Sequence, residues 1–176
     1  MPFLPGEGGC EISSIIVDGY NLTGINHDDL AAEREKLIRI LSGYRKVKDH
    51  DITLVFDGWK SGDRREVSVK TAGIRIIYSR LGETADAVIK RMIQTDKREW
   101  IVVSSDRDIA SYAWSHGSVA VAGTDFRLLV GKASSPVSGD YEPLDEDEYC
   151  GSAENRGNPR KRSRREKALL RVLKKL

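Results

Sequence analysis

Ile15-Ile16-Val17-Asp18-Gly19-Tyr20-Asn21-Leu22 decides how the chain is read, because an apolar run ends in a carboxylate and a glycine turn follows at once. Leu54-Val55-Phe56-Asp57-Gly58 repeats that ending, and Ile101-Val102-Val103-Ser104-Ser105-Asp106 again finishes in an acid. Parallel strands covered on both faces read as short continuous apolar runs, and an open α/β sheet binds ligands outside the carboxyl ends of such strands. Acids projecting there repel one another unless a cation lies between them, and all-oxygen ligation suits a hard ion such as Mg²⁺ or Mn²⁺. One Asp-Gly after a strand is ordinarily a turn former. Three acid endings in a chain of 176 residues point instead to a metal site.

Outward from that run, residues 12–17 predict a strand and residues 52–56 another. Between them Leu30, Leu37, Ile38, Ile40, Leu41 and Tyr44 recur mostly at helical spacing. Strand, helix, strand implies a parallel pair with a right-handed crossover. Ile74-Arg75-Ile76-Ile77-Tyr78 reads as a strand, whereas Glu66-Val67-Ser68-Val69 is less decided. Gly82-Glu83-Thr84-Ala85-Asp86 opens a helix with Ala85, Val88, Ile89, Met92 and Ile93 on its apolar face. Residues 100–104 make a buried strand, 106–114 a helix and 118–122 a short strand, and Thr124 is placed to cap a helix carrying Phe126, Leu128, Leu129 and Val130. The expected class is α/β, an open, mostly parallel sheet flanked by helices. Asp86 falls in a first helical turn, where it is either a surface charge favoured by the helix dipole, stabilising by about 0.3–1 kcal/mol, or a fourth ligand.

Composition bounds the rest. With 39% hydrophobic residues the chain can bury one good core. No apolar run approaches the roughly 20 residues that cross a bilayer, and Met1-Pro2-Phe3-Leu4-Pro5-Gly6 does not resemble a signal peptide, so a cytoplasmic location and no membrane partner are expected. Cys10 and Cys150 stand far apart and three histidines are scattered, which removes zinc spacing. The net charge of +2 conceals an asymmetry: residues 150–176 hold ten Lys or Arg against Glu154 and Glu166, whereas residues 1–149 hold 19 basic and 25 acidic side chains. An acidic body with a basic tail suggests a polyanionic partner.

Asp18-Gly19-Tyr20-Asn21, Phe56-Asp57-Gly58, Thr84-Ala85-Asp86 and Ser104-Ser105-Asp106-Arg107-Asp108, in that order and spacing, resemble the NYN domains of the PIN-like nuclease superfamily. The YacP-like branch, whose characterised members are ribosome-associated endoribonucleases, is the nearest in look. The resemblance covers roughly residues 12–132 and implies a PIN-like, Rossmann-like sheet. It implies that Asp18, Asp86 and Asp106 bind a divalent metal, Mg²⁺ or Mn²⁺, and that Asn21 orients Asp18 or contacts the scissile phosphate. It places Asp57 at the pocket rim or in the metal shell, with Asp108 as a further candidate ligand. The implied activity is metal-dependent endonucleolytic hydrolysis of RNA, with the ribosome as a further partner. The other reading of the same fold is a catalytically silent RNA- or ribosome-binding module.

Lys60, Arg64, Arg65 and Arg107 are the cations near these acids that would contact the RNA backbone, and Tyr20 and Trp59 are the aromatics that could stack a splayed base. Residues 1–11 form an N-terminal extension and 133–162 an acidic, then basic linker. Residues 163–176 form a basic amphipathic helix with Ala168, Leu169, Val172, Leu173 and Leu176 on one face. Arg160, Lys161, Arg162, Arg164 and Arg165 make this tail a candidate docking element for RNA or the ribosome, and the alternative is a helix that packs on the body. A phosphatase would need a second Asp two residues after Asp18, where Tyr20 stands, and a dinucleotide enzyme would need a Gly-x-Gly-x-x-Gly after the first strand, which is missing.

Overall fold

The apolar runs become the strands of one sheet in a computed structural model that describes residues 12–23, 30–58, 64–134 and 163–176. The order is β1 (Ser14–Asp18), α1 (Gly19–Thr23), α2 (Leu30–Lys48), β2 (Asp51–Phe56), β3 (Val67–Thr71), β4 (Ile74–Tyr78), α3 (Ala85–Thr95), β5 (Trp100–Val103), α4 (Arg107–Ser115), β6 (Val119–Val121), α5 (Gly123–Ser134) and α6 (Arg164–Lys175). The strands lie in the order β3-β4-β2-β1-β5-β6, parallel except for β3. The chain therefore runs outward from β1 in one direction, returns to β5, and runs outward in the other. The reversal lies between β1 and β5, where an open α/β sheet forms its ligand crevice.

Alternation along the strands divides the core into two layers. Ile15 and Val17, Ile52, Leu54 and Phe56, and Ile101 and Val103 face α2, α5 and α6, together with Leu41, Tyr44 and Phe126. Ile16, Val55 and Val102 face α3 and α4 with Val88, Ile89, Ile93, Ile109 and Ala113. Each Ile, Leu or Val buried this way contributes roughly 1.5–3 kcal/mol relative to exposure. Asp18 continues the parity of Ile16 and so emerges on the α3–α4 side.

The undecided run at 67–71 is an antiparallel edge strand with every residue exposed, paired from Val67↔Tyr78 to Thr71↔Ile74. The tight turn joining it to β4 places both Ala72 (φ 50°) and Gly73 (φ 87°) in the left-handed region, which suits the right-handed twist of a hairpin. Thr124 does not cap α5: the helix already includes Gly123, and the Phe126 N–H reaches back to the Ala122 carbonyl at 3.1 Å.

The basic C-terminal helix packs its apolar face on the body. Val172 and Leu176 are buried in the α2–α5 layer, with Ala168, Leu169 and Leu173 packed beside them. Ser163 and Glu166 close a capping box at its start. Tyr44 Oη donates to the Leu176 carbonyl oxygen at 2.5 Å, and burial pushes that phenol up to about 12. No helix among the described residues is long and apolar enough to cross a membrane.

Candidate active site

Asp18 is the last residue of β1, level with Val55 of β2, and only 4% exposed. The chain then turns at Gly19 into the single turn of α1, and the turn admits nothing larger. A Cβ on Gly19 would fall 2.3 Å from the Phe56 ring and 3.0 Å from the Val55 carbonyl oxygen. That turn brings Asn21 back over the carboxylate. The Asn21 amide donates to Asp18 Oδ2 at 2.9 Å, and its backbone N–H approaches Oδ1 at 3.4 Å.

Ser104 follows the end of β5 directly and is buried beside them. Its hydroxyl donates to Asp18 Oδ2 at 3.3 Å and accepts from Asn21 Nδ2 at 3.2 Å and from the Asp106 N–H at 3.1 Å. One hydroxyl thus joins the ends of β1 and β5 to the start of α4. Asp106 caps that helix, Oδ1 accepting from the Asp108 and Ile109 N–H groups at 2.6 and 3.2 Å. Ser104 belongs to the Ser104-Ser105-Asp106 run, yet its role depends on Asp18 and Asn21, which the sequence does not place beside it. A hydroxyl at the end of an otherwise apolar strand was the available signal.

Asp86 comes from the first turn of α3, whose start Thr84 caps by accepting from the Ala87 N–H. Burial, then the neighbouring charges of Asp18 and Asp106, and more weakly Asp108, raise its carboxyl above the usual value, while Lys90 opposes them. Asp18, Asp86 and Asp106 therefore share one field although they come from β1, α3 and the β5–α4 turn. Asp57 is not among the charges that raise Asp86. It follows the neighbouring strand β2 directly and takes a hydrogen bond at 3.4 Å from the buried hydroxyl of Ser79.

Lys90 stands one helical turn after Asp86 and is ion-paired to Asp108, whose hydrogen bond raises the ammonium above its ordinary value. Nothing in the sequence pairs these residues, because α4 must fold against α3 before Asp108 reaches Lys90.

As they stand, no three His, Cys, Asp or Glu side chains among the described residues are drawn together to hold a metal ion. Asp18 is turned to Asn21 and Ser104, Asp106 to its own helix and Asp108 to Lys90. In donor chemistry the set fits a hard divalent cation, being all oxygen and mutually repulsive.

The other sequence candidates fall elsewhere. Tyr20 packs edge-on against Phe56 with ring centroids 5.6 Å apart, and its hydroxyl donates to the Asp57 carbonyl at 3.4 Å. Arg107 is exposed at the start of α4, and Arg64 and Arg65 are exposed ahead of β3. Arg164 and Arg165 are exposed on α6, with the Arg165 guanidinium 5.8 Å from the centre of the Trp114 ring. Trp59, Lys60, Arg160, Lys161 and Arg162, as well as the extension 1–11, lie outside the described residues.

The model of the YacP-like NYN domain family matches residues 15–171, a span that holds all the candidate acids and reaches into α6. The crystal structure of Rae1 (YacP) from Bacillus subtilis is similar, with a TM-score of 0.55 and 19% identity over 69% of this chain and 75% of that one. A crystal structure of a tryptophan-to-leucine mutant of that protein gives 0.56 and 20% over 69% and 77%. At such identity the likeness establishes the fold. No curated protein sequence matches the chain.

Proposed function

Because the chain belongs to the YacP-like NYN domain family, within a nuclease-like superfamily, we propose that it is a divalent-metal-dependent endoribonuclease. The observation that carries this reading is the placement of Asp18 at the end of β1 and Asp106 just after β5, where the sheet reverses, with Asp86 of α3 near enough for their charges to raise its carboxyl. Like charges gathered in a crevice are a cost to the fold that a bound cation would relieve.

Asp18, Asp86 and Asp106 would hold Mg²⁺ or Mn²⁺, with Asp108 within the same field and Asp57 at the rim just after β2. A bound divalent ion supplies an activated water and neutralises charge on the phosphoryl oxygens. The chain's own part is positioning. Asn21 and Ser104 fix the Asp18 carboxylate from one side, and Ser104 fixes the Asp106 backbone, so two acids keep their spacing while RNA binds. Arg107, Arg64 and Arg65 are exposed where backbone phosphates would meet them. The solvent face of α6, with Arg164, Arg165, Lys167, Arg171, Lys174 and Lys175 exposed, supports a separate contact with RNA, the ribosome being an RNA surface of that kind.

A binding module without turnover is the second reading, favoured by the engagement of Asp18, Asp106 and Asp108 with protein donors. Cleavage of end-labelled single-stranded and structured RNAs, with and without ribosomes, under Mg²⁺, Mn²⁺ and EDTA separates the two. Internal cuts that require metal and disappear in Asp18→Asn and Asp106→Asn are expected. RNA binding with no cuts under any condition would leave the silent module.

A further inference from the structure

The face of α3 and α4 beside the acids carries residues that the cleavage reading does not use. Asp108, Tyr112 and His116 follow one another at intervals of four along α4, and so lie on one stripe leading away from Asp106. Tyr112 and His116 stack with ring centroids 4.0 Å apart and planes 23° apart. Lys90 reaches the stripe from α3, paired with Asp108 and 5.8 Å from the centre of the Tyr112 ring.

The ring pair is fixed in place. His116 Nδ1 lies 2.9 Å from the Tyr112 carbonyl oxygen and 3.0 Å from Ser115 Oγ, contacts that hold the imidazole over the Tyr112 ring. Tyr112 is half-buried, packed at the margin of the α3–α4 layer, and His116 is exposed. A rigid, solvent-facing aromatic pair with a cation beside it matches what single-stranded nucleic acid requires, a π-face for a base and an amine for the adjoining phosphate. Only 28% of the Lys90 side chain is exposed, so its stem is held and its amine is confined to the space between Asp108 and Tyr112.

We infer that Lys90, Tyr112 and His116 form the track by which a single-stranded RNA leaves the acid cluster, with the ring pair stacking a base and Lys90 binding a neighbouring phosphate. Lys90 exchanges Asp108 for that phosphate as the strand arrives, which releases the Asp108 carboxylate towards the crevice. The inference rests on the cleavage reading for the position of the scissile bond but not for the existence of the track.

The test uses the full chain and short single-stranded RNAs bearing one 5-iodouridine at successive positions, in Mg²⁺ and in EDTA. Photocrosslinks are expected on Tyr112 or His116 from one position only. Affinity should fall by about 5- to 150-fold in Tyr112→Leu, the span expected for losing one stacked base. Removing the base at the crosslinking position should cost the wild type the same factor and the variant nothing further. Lys90→Gln should lower the salt slope of binding by about one. Crosslinks elsewhere together with unchanged affinity in Tyr112→Leu and His116→Ala would overturn the track, and normal metal-dependent cuts in those variants would leave the nuclease standing. Crosslinks on Tyr112 or His116 to RNA that is never cut would keep the track and defeat the nuclease.

Discussion

Two regions of this molecule bury polar groups and treat them in opposite ways. Beneath α6, His50 is 1% exposed and Tyr44 fully buried, and each meets a complementary partner. The Ser13 N–H approaches His50 Nδ1 at 3.4 Å, so Nε2 carries the proton and faces the Lys175 carbonyl at 3.2 Å, while Tyr44 donates to Leu176. At the β1–β5 crevice, Asp86 faces Asp18, Asp106 and Asp108. The first region turns buried polarity into specific docking of a helix; the second gathers four carboxylates around the one ammonium of Lys90, an excess of negative charge among the described residues there. The docked helix and the acid cluster thus lie on opposite layers of one sheet.

The contrast is most easily broken at its packed end. Phe126 is fully buried and meets Tyr44 edge-on with ring centroids 5.7 Å apart. Phe126→Ala should cost about 3–5 kcal/mol in urea denaturation, and a loss below about 1 kcal/mol would mean that α5 and α2 do not carry the layer.

Acid should sharpen it next. Burial is the main cause that lowers the His50 pKa below 6.5, so the folded state favours the neutral ring. As pH falls below about 6.5 the unfolded chain takes up a proton that the folded one does not, and stability declines towards the lower folded value. Thermal denaturation from pH 7.5 to 5 should show that decline, and His50→Gln should flatten it. An equal slope in both proteins would separate the α6 contact from titration.

The smallest effect should have the opposite sign. The folded Asp86 carboxyl lies above its unfolded value of 3.8, so its favourable contribution is present below that pH and is lost as pH rises through the folded value. Asp86→Asn should therefore raise the melting temperature at neutral pH, with the gain vanishing in acid. A lower melting temperature at pH 7 would show that the carboxylate is held by favourable partners instead.

Much of the frame was legible because apolar runs on buried parallel strands have few other readings. The run Ile15–Val17 gave the central strand, and the acids at 18, 86 and 106 were named in order. Only the family resemblance joined Asp86 to the other two, since it reaches them from the first turn of a helix and not from a strand end. The edge strand 67–71 was hard to read because all five residues are exposed and no core face imposes alternation. The amphipathic pattern of α6 was plain, but a pattern names no partner, and the groups that receive this helix, Tyr44 and His50, lie 132 and 125 residues away from their partners in sequence. Lys90 and Ser104 are illegible in sequence for the same reason: one gains its meaning from Asp108 on another helix, the other from Asp18 on another strand.

Counting bound Mn²⁺ by electron paramagnetic resonance, in the wild type and in Asp18→Asn and Asp86→Asn, addresses the crevice without requiring any RNA. Saturable binding in the wild type that is lost in both variants, accompanied by a rise in wild-type melting temperature, is the expected result. Equal Mn²⁺ binding in all three proteins, or none in the wild type, would contradict the assignment of these carboxylates to a metal.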